Sequence, residues 1–169
     1  MTLIEDAKAG TVQERVASLA NAEGLSPERL ARLIARGRVV VPCSEKNAER
    51  ERRLACIGES VSIKVNANVG TSKDASSIEE EVEKARVAER YGAHTVMDLS
   101  TGGDLRAVRR RIVDEVSIPV GAVPIYEPFS QKPPAEVDAD EFLAAIERYI
   151  DDGLDFLTIH AGITRESLA

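Results

Sequence analysis

Hydrophobic positions along the chain follow two different rhythms. In the first part they recur at helical spacing. Val12, Val16 and Leu19 predict one helix with a stop at Gly24. Leu30, Leu33 and Ile34 predict a second, opened by Ser26 as cap with Pro27 at its first position and closed at Gly37. A short extended run follows over 38–42 (RVVVP), then a stretch over 44–53 crowded with charge, which reads as a solvated linker or an exposed helix. From residue 60 onward, short apolar runs alternate with amphipathic helical ones. Strands are expected over 62–69, 94–99, 119–126 and 155–160. Between them, a helix over 77–91 is announced by two possible capping pairs, Ser76 with Glu79 and Ser77 with Glu80, and stopped by Gly92. Leu105, Val108 and Ile112 mark the next helix. A third opens at Asp138 with Glu141, buries Phe142, Ile146 and Tyr149, and stops at Gly153.

This βαβαβαβ order, with strands apolar enough to be covered on both faces, predicts a parallel α/β sheet. Two architectures fit: half of a (β/α)8 barrel and a doubly wound sheet. The chain holds no GxGxxG and no GxxxxGK[ST] to favour a nucleotide-binding sheet. The stretch after Glu59 is also far shorter than the ~200 residues of a closed barrel, so four strands are expected rather than eight. The organisation expected is residues 1–59 as an N-terminal helical segment and linker, and 60–169 as the sheet-bearing part.

Composition narrows the class. The net charge of −7 gives no electrostatic reason to bind nucleic acid or an anionic membrane. The longest apolar runs are far too short to cross a bilayer, and the N-terminal MTLIEDAKAG has no basic stretch followed by an apolar core, so a cytoplasmic location is expected. Cys43 and Cys56 are the only cysteines and form no CxxC. They read as two partly buried thiols, too few for a four-iron cluster.

The candidate chemistry lies where strands end. The first strand closes on Asn66 and Asn68, the second on Met97, Asp98 and Ser100, the third on Tyr126 and Glu127, and the fourth on His160. In parallel α/β folds the C-terminal edge of the sheet carries the site. Singly, each of these polar groups has an ordinary use: Asn68 in a turn, Asp98 at a helix cap, His160 as a hydrogen-bonded core histidine. Together they mark one rim, because converging buried polar groups cost stability unless a ligand or network uses them. Gly70, Gly102, Gly103 and Gly162 follow the strands, serving either close ligand approach or tight turns.

These strand ends also carry a resemblance. The strings at 37–42 (GRVVVP), 65–70 (VNANVG), 76–84 (SSIEEEVEK), 95–102 (TVMDLSTG), 119–126 (PVGAVPIY) and 156–162 (FLTIHAG) resemble, in order, the phosphomethylpyrimidine synthase family. MDLSTG together with TIHAG is highly specific. The anaerobic hydroxybenzimidazole synthases are close relatives sharing the fold and substrate. The resemblance implies a (β/α)8 barrel with a small N-terminal domain, usually homodimeric. It implies a radical SAM carbon–carbon lyase that converts 5-aminoimidazole ribonucleotide to the hydroxymethylpyrimidine phosphate of thiamin, releasing formate and carbon monoxide. The implied cofactors are S-adenosyl-L-methionine, a 4Fe–4S cluster and zinc. Carried over residue by residue, it makes Asn68, Met97, Tyr126 and His160 substrate contacts. Asp98, Ser100 and Glu127 stand nearby without an implied role.

The chain departs from the family in what it lacks: the later phosphate-binding loops, the metal-binding histidines and the CxxCxxxxC that holds the cluster. His94 opens a strand on the side away from the expected site, so no metal ligands are expected here. Two hypotheses follow. One is the first half of a synthase barrel, inactive as an isolated chain. The other is a non-catalytic half-barrel or subunit of a split enzyme that associates with itself or with a missing half. A generic phospho-sugar barrel enzyme explains none of the matched strings.

Overall fold

The computed structural model describes residues 2–47, 52–75, 77–162 and 166–168. Three short helices lead: α1 (Leu3–Lys8), α2 (Glu14–Ala22) and α3 (Pro27–Ala35). Thr2 opens α1 with a reciprocal capping box to Glu5, and Ser26 caps α3 by accepting the Arg29 N–H, with Pro27 in the first turn as expected. Val12 lies outside the helices, in the link between α1 and α2. Val16, Ala20, Leu30, Ala31 and Ile34 face one another and, with Val39 and Cys56, form an N-terminal apolar core. Strands β1 (Val39–Val40) and β2 (Ile57–Gly58) pair antiparallel beside it.

The second core is larger and belongs to a parallel sheet. Its strands are β3 (Asn66–Val69), β4 (Thr95–Asp98), β5 (Val120–Ala122) and β6 (Phe156–Leu157), in that spatial order and all parallel. Helices α4 (Ile78–Arg90), α5 (Leu105–Glu115) and α7 (Ala139–Asp151) alternate with the strands, and a short α6 (Tyr126–Gln131) precedes α7. Spatial order that follows chain order is what successive βαβ crossovers produce. Ser77 caps α4 and Asp138 opens α7 with the expected capping box to Glu141; Ser76 lies outside the described residues. Val82, Ala85, Val108, Ile112, Val113 and Tyr149 from the three long helices pack on Val69, Val96, Val120 and Ala122 of the strands. Full burial of each aliphatic side chain contributes roughly 1.5–3 kcal/mol, so this layer is the main source of the sheet's stability.

Four expectations change. The edge strand β3 is not covered on both faces: Asn66 and Asn68 are exposed while Val69 is buried, whereas every residue of β5 is buried. The first strand starts four residues late, because the Ser62 N–H goes to the Glu23 carboxylate at the end of α2 instead of to a neighbouring strand. The third strand stops at Ala122, so Tyr126 is not a strand residue but the first residue of α6. Pro124 lies between them with no N–H to give a ladder. The fourth strand covers only Phe156–Leu157, which leaves His160 three residues beyond it and exposed.

The charged stretch over 44–53 is also not simply solvated. Residues 48–51 lie outside the described residues, but Asn47 is buried and its amide donates to the Gly153 carbonyl at 2.6 Å. Arg52 lies buried against the base of the sheet, donating to the carbonyls of Val113 and Ile118 and to Asp155.

Candidate functional site

Side chains alternate across a strand, so each row of the sheet has one facing direction. Val69, Asp98, Ala122 and Leu157 are aligned in register and face the helices, as do Ala67, Val96 and Val120. The other set, Asn66 with Thr95 and Asn68 with Met97, Gly121 and Phe156, faces away from α4, α5 and α7. This second face is the candidate site. Asn68 and Met97 stand side by side on it. The Met97 sulfur accepts a 3.9 Å contact from the Thr158 hydroxyl, which brings β6 into the same surface. One edge of the Phe156 ring packs against Gly121, where any side chain would overlap it.

Asn68 does not stand alone. Asn66 Nδ2 donates to Asn68 Oδ1 at 2.8 Å, and the Thr95 hydroxyl donates to Asn66 Oδ1 at 2.9 Å. Asn66 was legible in the sequence as a polar residue two positions before Asn68, the spacing that puts two strand side chains on one face. Thr95 was not, because its closeness to Asn66 depends on strand pairing.

Tyr126 and His160 are placed by loops rather than by strands. Tyr126 is half-buried at the start of α6, and its backbone N–H donates to the Val123 carbonyl. His160 is exposed. Among the described residues no side-chain hydrogen bond joins either of them to Asn68 or Met97, so the fold brings together two of the four expected contacts directly.

Asp98 and Ser100 point elsewhere. Asp98 is buried on the helix side and accepts from both the backbone N–H and the hydroxyl of Ser100. Burial raises its carboxyl above the ordinary value, against the lowering pull of Ser100 and Arg109. Ser100 Oγ in turn accepts the Thr71 N–H, and the Thr71 hydroxyl donates to the Gly102 carbonyl at 2.6 Å. The loops after β3 and β4 are therefore stitched to each other. A Cβ on Gly70, at φ +148, would lie 2.6 Å from the Ser100 nitrogen, and one on Gly102 would lie 2.5 Å from the Ser72 carbonyl carbon. Gly70 and Gly102 serve the close contact between these two loops, a use beyond the ligand approach and tight turns their positions suggested. Glu127 is likewise engaged: it accepts from Arg148 at 2.8 Å and lies 3.4 Å from the buried Arg109.

His94, at the opposite end of β4, accepts the Val65 N–H on Nδ1. Cys56 is fully buried in the N-terminal core, where burial pushes its thiol up to about 11, and burial also raises Cys43, whose thiol contacts the Ser44 carbonyl. Among the described residues no three His, Cys, Asp or Glu side chains gather as metal ligands. Two separated, hard-to-ionise thiols do not fit an iron–sulfur cluster, which is held by several thiolates.

Residues 2–169 match the family model described as the Radical SAM ThiC family. The chain belongs to that family. Its members with curated names include phosphomethylpyrimidine synthase 1 of Methanosarcina mazei, 47% identical over 169 residues, covering 99% of this chain and 39% of the relative. The phosphomethylpyrimidine synthase of Archaeoglobus fulgidus is 50% identical over 165 residues, covering 96% of this chain and 38% of the relative. That of Thermus thermophilus is 46% identical over 172 residues, covering 99% and 39%. The chain thus spans about two fifths of the length of these relatives. Among the described residues, no helix is long and apolar enough to cross a membrane.

Proposed function

We propose that this chain forms the first half of the (β/α)8 barrel of a phosphomethylpyrimidine synthase. In that reading the face carrying Asn68 and Met97 is the inner wall of the barrel. The enzyme converts 5-aminoimidazole ribonucleotide to 4-amino-5-hydroxymethyl-2-methylpyrimidine phosphate in thiamin synthesis, by radical chemistry started from S-adenosyl-L-methionine. The observation that carries the reading is the register of Asn68 beside Met97 on the sheet face turned away from all three long helices. A barrel interior has this character: one polar-lined face inward, helices outside.

The chain's own residues have definite tasks in this reading. Asn68 supplies a directed hydrogen bond to the imidazole or ribose. Met97, kept in place by Thr158, supplies a soft apolar contact to a ring. Tyr126 and His160 approach from the loops beyond β5 and β6 and hydrogen-bond ribose or base. The cluster implied by the family's name, and the zinc expected with it, take their ligands from residues other than those described, since Cys43 and Cys56 do not fit the task. The two apolar cores support a division near residue 59 between an N-terminal segment and the sheet. We read the location as cytoplasmic and the working state as associated, either as a homodimer or with the remainder of a barrel, because β3 and β6 are both sheet edges and β3 leaves Asn66 and Asn68 exposed on one face.

Calorimetric titration of the chain with 5-aminoimidazole ribonucleotide tests the reading, with Asn68→Ala and His160→Ala alongside. Saturable binding weakened by each change is expected; a folded chain that binds nothing overturns it. Incubation with S-adenosyl-L-methionine and reductant is expected to yield no pyrimidine product from this chain alone.

A further inference from the structure

We infer that Asn66 is a positioning residue that fixes which end of the Asn68 amide meets the ligand. This deepens the substrate reading above and rests on it. A side-chain amide has two ends of opposite hydrogen-bonding character, an oxygen that accepts and a nitrogen that donates. An isolated asparagine on an open sheet face can turn either end outward. Here a chain of three side chains holds one orientation, in which the Thr95 hydroxyl, able to donate or accept, donates. Thr95, on β4 and 3% exposed, gives its hydroxyl proton to Asn66 Oδ1 at 2.9 Å. With its oxygen engaged, Asn66 turns its nitrogen toward Asn68 and donates to Asn68 Oδ1 at 2.8 Å. Asn68 is then left presenting its NH2 group. The ligand atom opposite it is therefore an acceptor: a ring nitrogen lone pair or a sugar oxygen, rather than an exocyclic amine.

The order of donors also explains why two asparagines are used at positions 66 and 68. An aspartate at 66 has no hydrogen to give, so Asn68 would rotate, donate to the new carboxylate and present its oxygen outward. Position 66 is exposed, so this exchange of one side chain for another of the same shape leaves the fold intact. It reverses the polarity of the site and adds one negative charge, whose own effect the Asn68→Ala background measures.

The test is Asn66→Asp, alone and combined with Asn68→Ala, with 5-aminoimidazole ribonucleotide as the probe. Asn66→Asp is expected to weaken binding roughly tenfold in the otherwise native chain, the scale of one lost hydrogen bond, and to have almost no effect once Asn68 is alanine. Equal weakening in both backgrounds would instead mean charge repulsion of the ligand phosphate, and would overturn the inference. A ligand-free measurement stands beside it. In the NMR spectrum of the free chain the Asn68 NH2 protons are expected to show the temperature dependence of solvent-exposed amides, and to acquire that of bonded amides in Asn66→Asp. Bonded Asn68 amide protons in the native chain would overturn the inference. If the native chain binds no nucleotide, the substrate reading fails, and these resonances still decide the order of the amides.

Discussion

Arg52 Nη1 donates to Asp155 Oδ2 at 2.9 Å, and both side chains are almost wholly buried. Asp155 also accepts from the backbone N–H groups of Ser44 and Val120 and from the Asn47 amide. One carboxylate at the start of β6 thus gathers the end of the N-terminal segment and the adjacent strand β5. Removing one member of a buried ion pair leaves the other charge without compensation, at a cost of about 3–5 kcal/mol. Asp155→Ala is therefore expected to lower the unfolding free energy by that amount in urea titrations followed by circular dichroism. A loss no larger than that of a surface pair would show that the clasp is not formed in solution.

A second buried cation organises the helix layer. Arg109 is 0% exposed, with its guanidinium 3.6 Å from the Tyr149 ring centre and Nη2 2.7 Å from Asp152 Oδ2. Arg106 reaches the same carboxylate from a half-exposed position. The two arginines therefore separate burial from mere pairing. Arg109→Met is expected to cost about 3 kcal/mol, because the buried Asp152 is left with only the half-exposed Arg106 and the stacking on Tyr149 is lost. Arg106→Met is expected to cost under about 1 kcal/mol, as for solvent-screened pairs. Equal losses in thermal or chemical denaturation would refute the assignment of Arg109 as the central group.

Gly121 and Phe156 are neighbours in register on β5 and β6, and the ring occupies the space a Cβ on Gly121 would need. Gly121→Ala is expected to destabilise the chain by about 1–3 kcal/mol, the range for overpacking. Adding Phe156→Leu should recover most of that loss, because it removes the clashing ring edge. The double-mutant cycle is the readout, and strict additivity would count against the contact.

Asp98 makes a prediction with a defined sign. Burial raises its folded-state carboxyl above the unfolded value, so between those two values the folded chain holds more protons than the unfolded one. Its contribution to stability is present at low pH and is lost as pH rises from the ordinary carboxylate value through the folded one. Asp98→Asn keeps an oxygen for the Ser100 N–H and hydroxyl without the buried charge. The variant is expected to match or exceed the native chain in stability at pH 7, with the difference shrinking as the pH is lowered into the carboxylate range. Urea midpoints at several pH values measure this, and an Asn variant that loses stability at pH 7 would contradict it.

The sequence alone determined the alternation of strands and helices after residue 60, because capping pairs such as Asp138 with Glu141 and the spacing of Leu105, Val108 and Ile112 are local signals. It also carried Asn68, Met97, Tyr126 and His160 as candidates, through the strings around them. Where the strands begin and end was not local. The first strand is shortened by Glu23, a residue from α2, and the buried role of Arg52 comes from Asp155, 103 residues away. The third strand's early end was written in Pro124, yet the run of apolar residues over 119–126 outweighed it. Which of the two sheet faces the helices cover was likewise invisible to periodicity. Only strand register, set by packing between distant segments, turns Asp98 toward the helices and stands Asn68 beside Met97. Register follows from burying Val69, Val96 and Val120 against α4, α5 and α7, and a long-range packing choice of that kind leaves no mark in any short window of sequence.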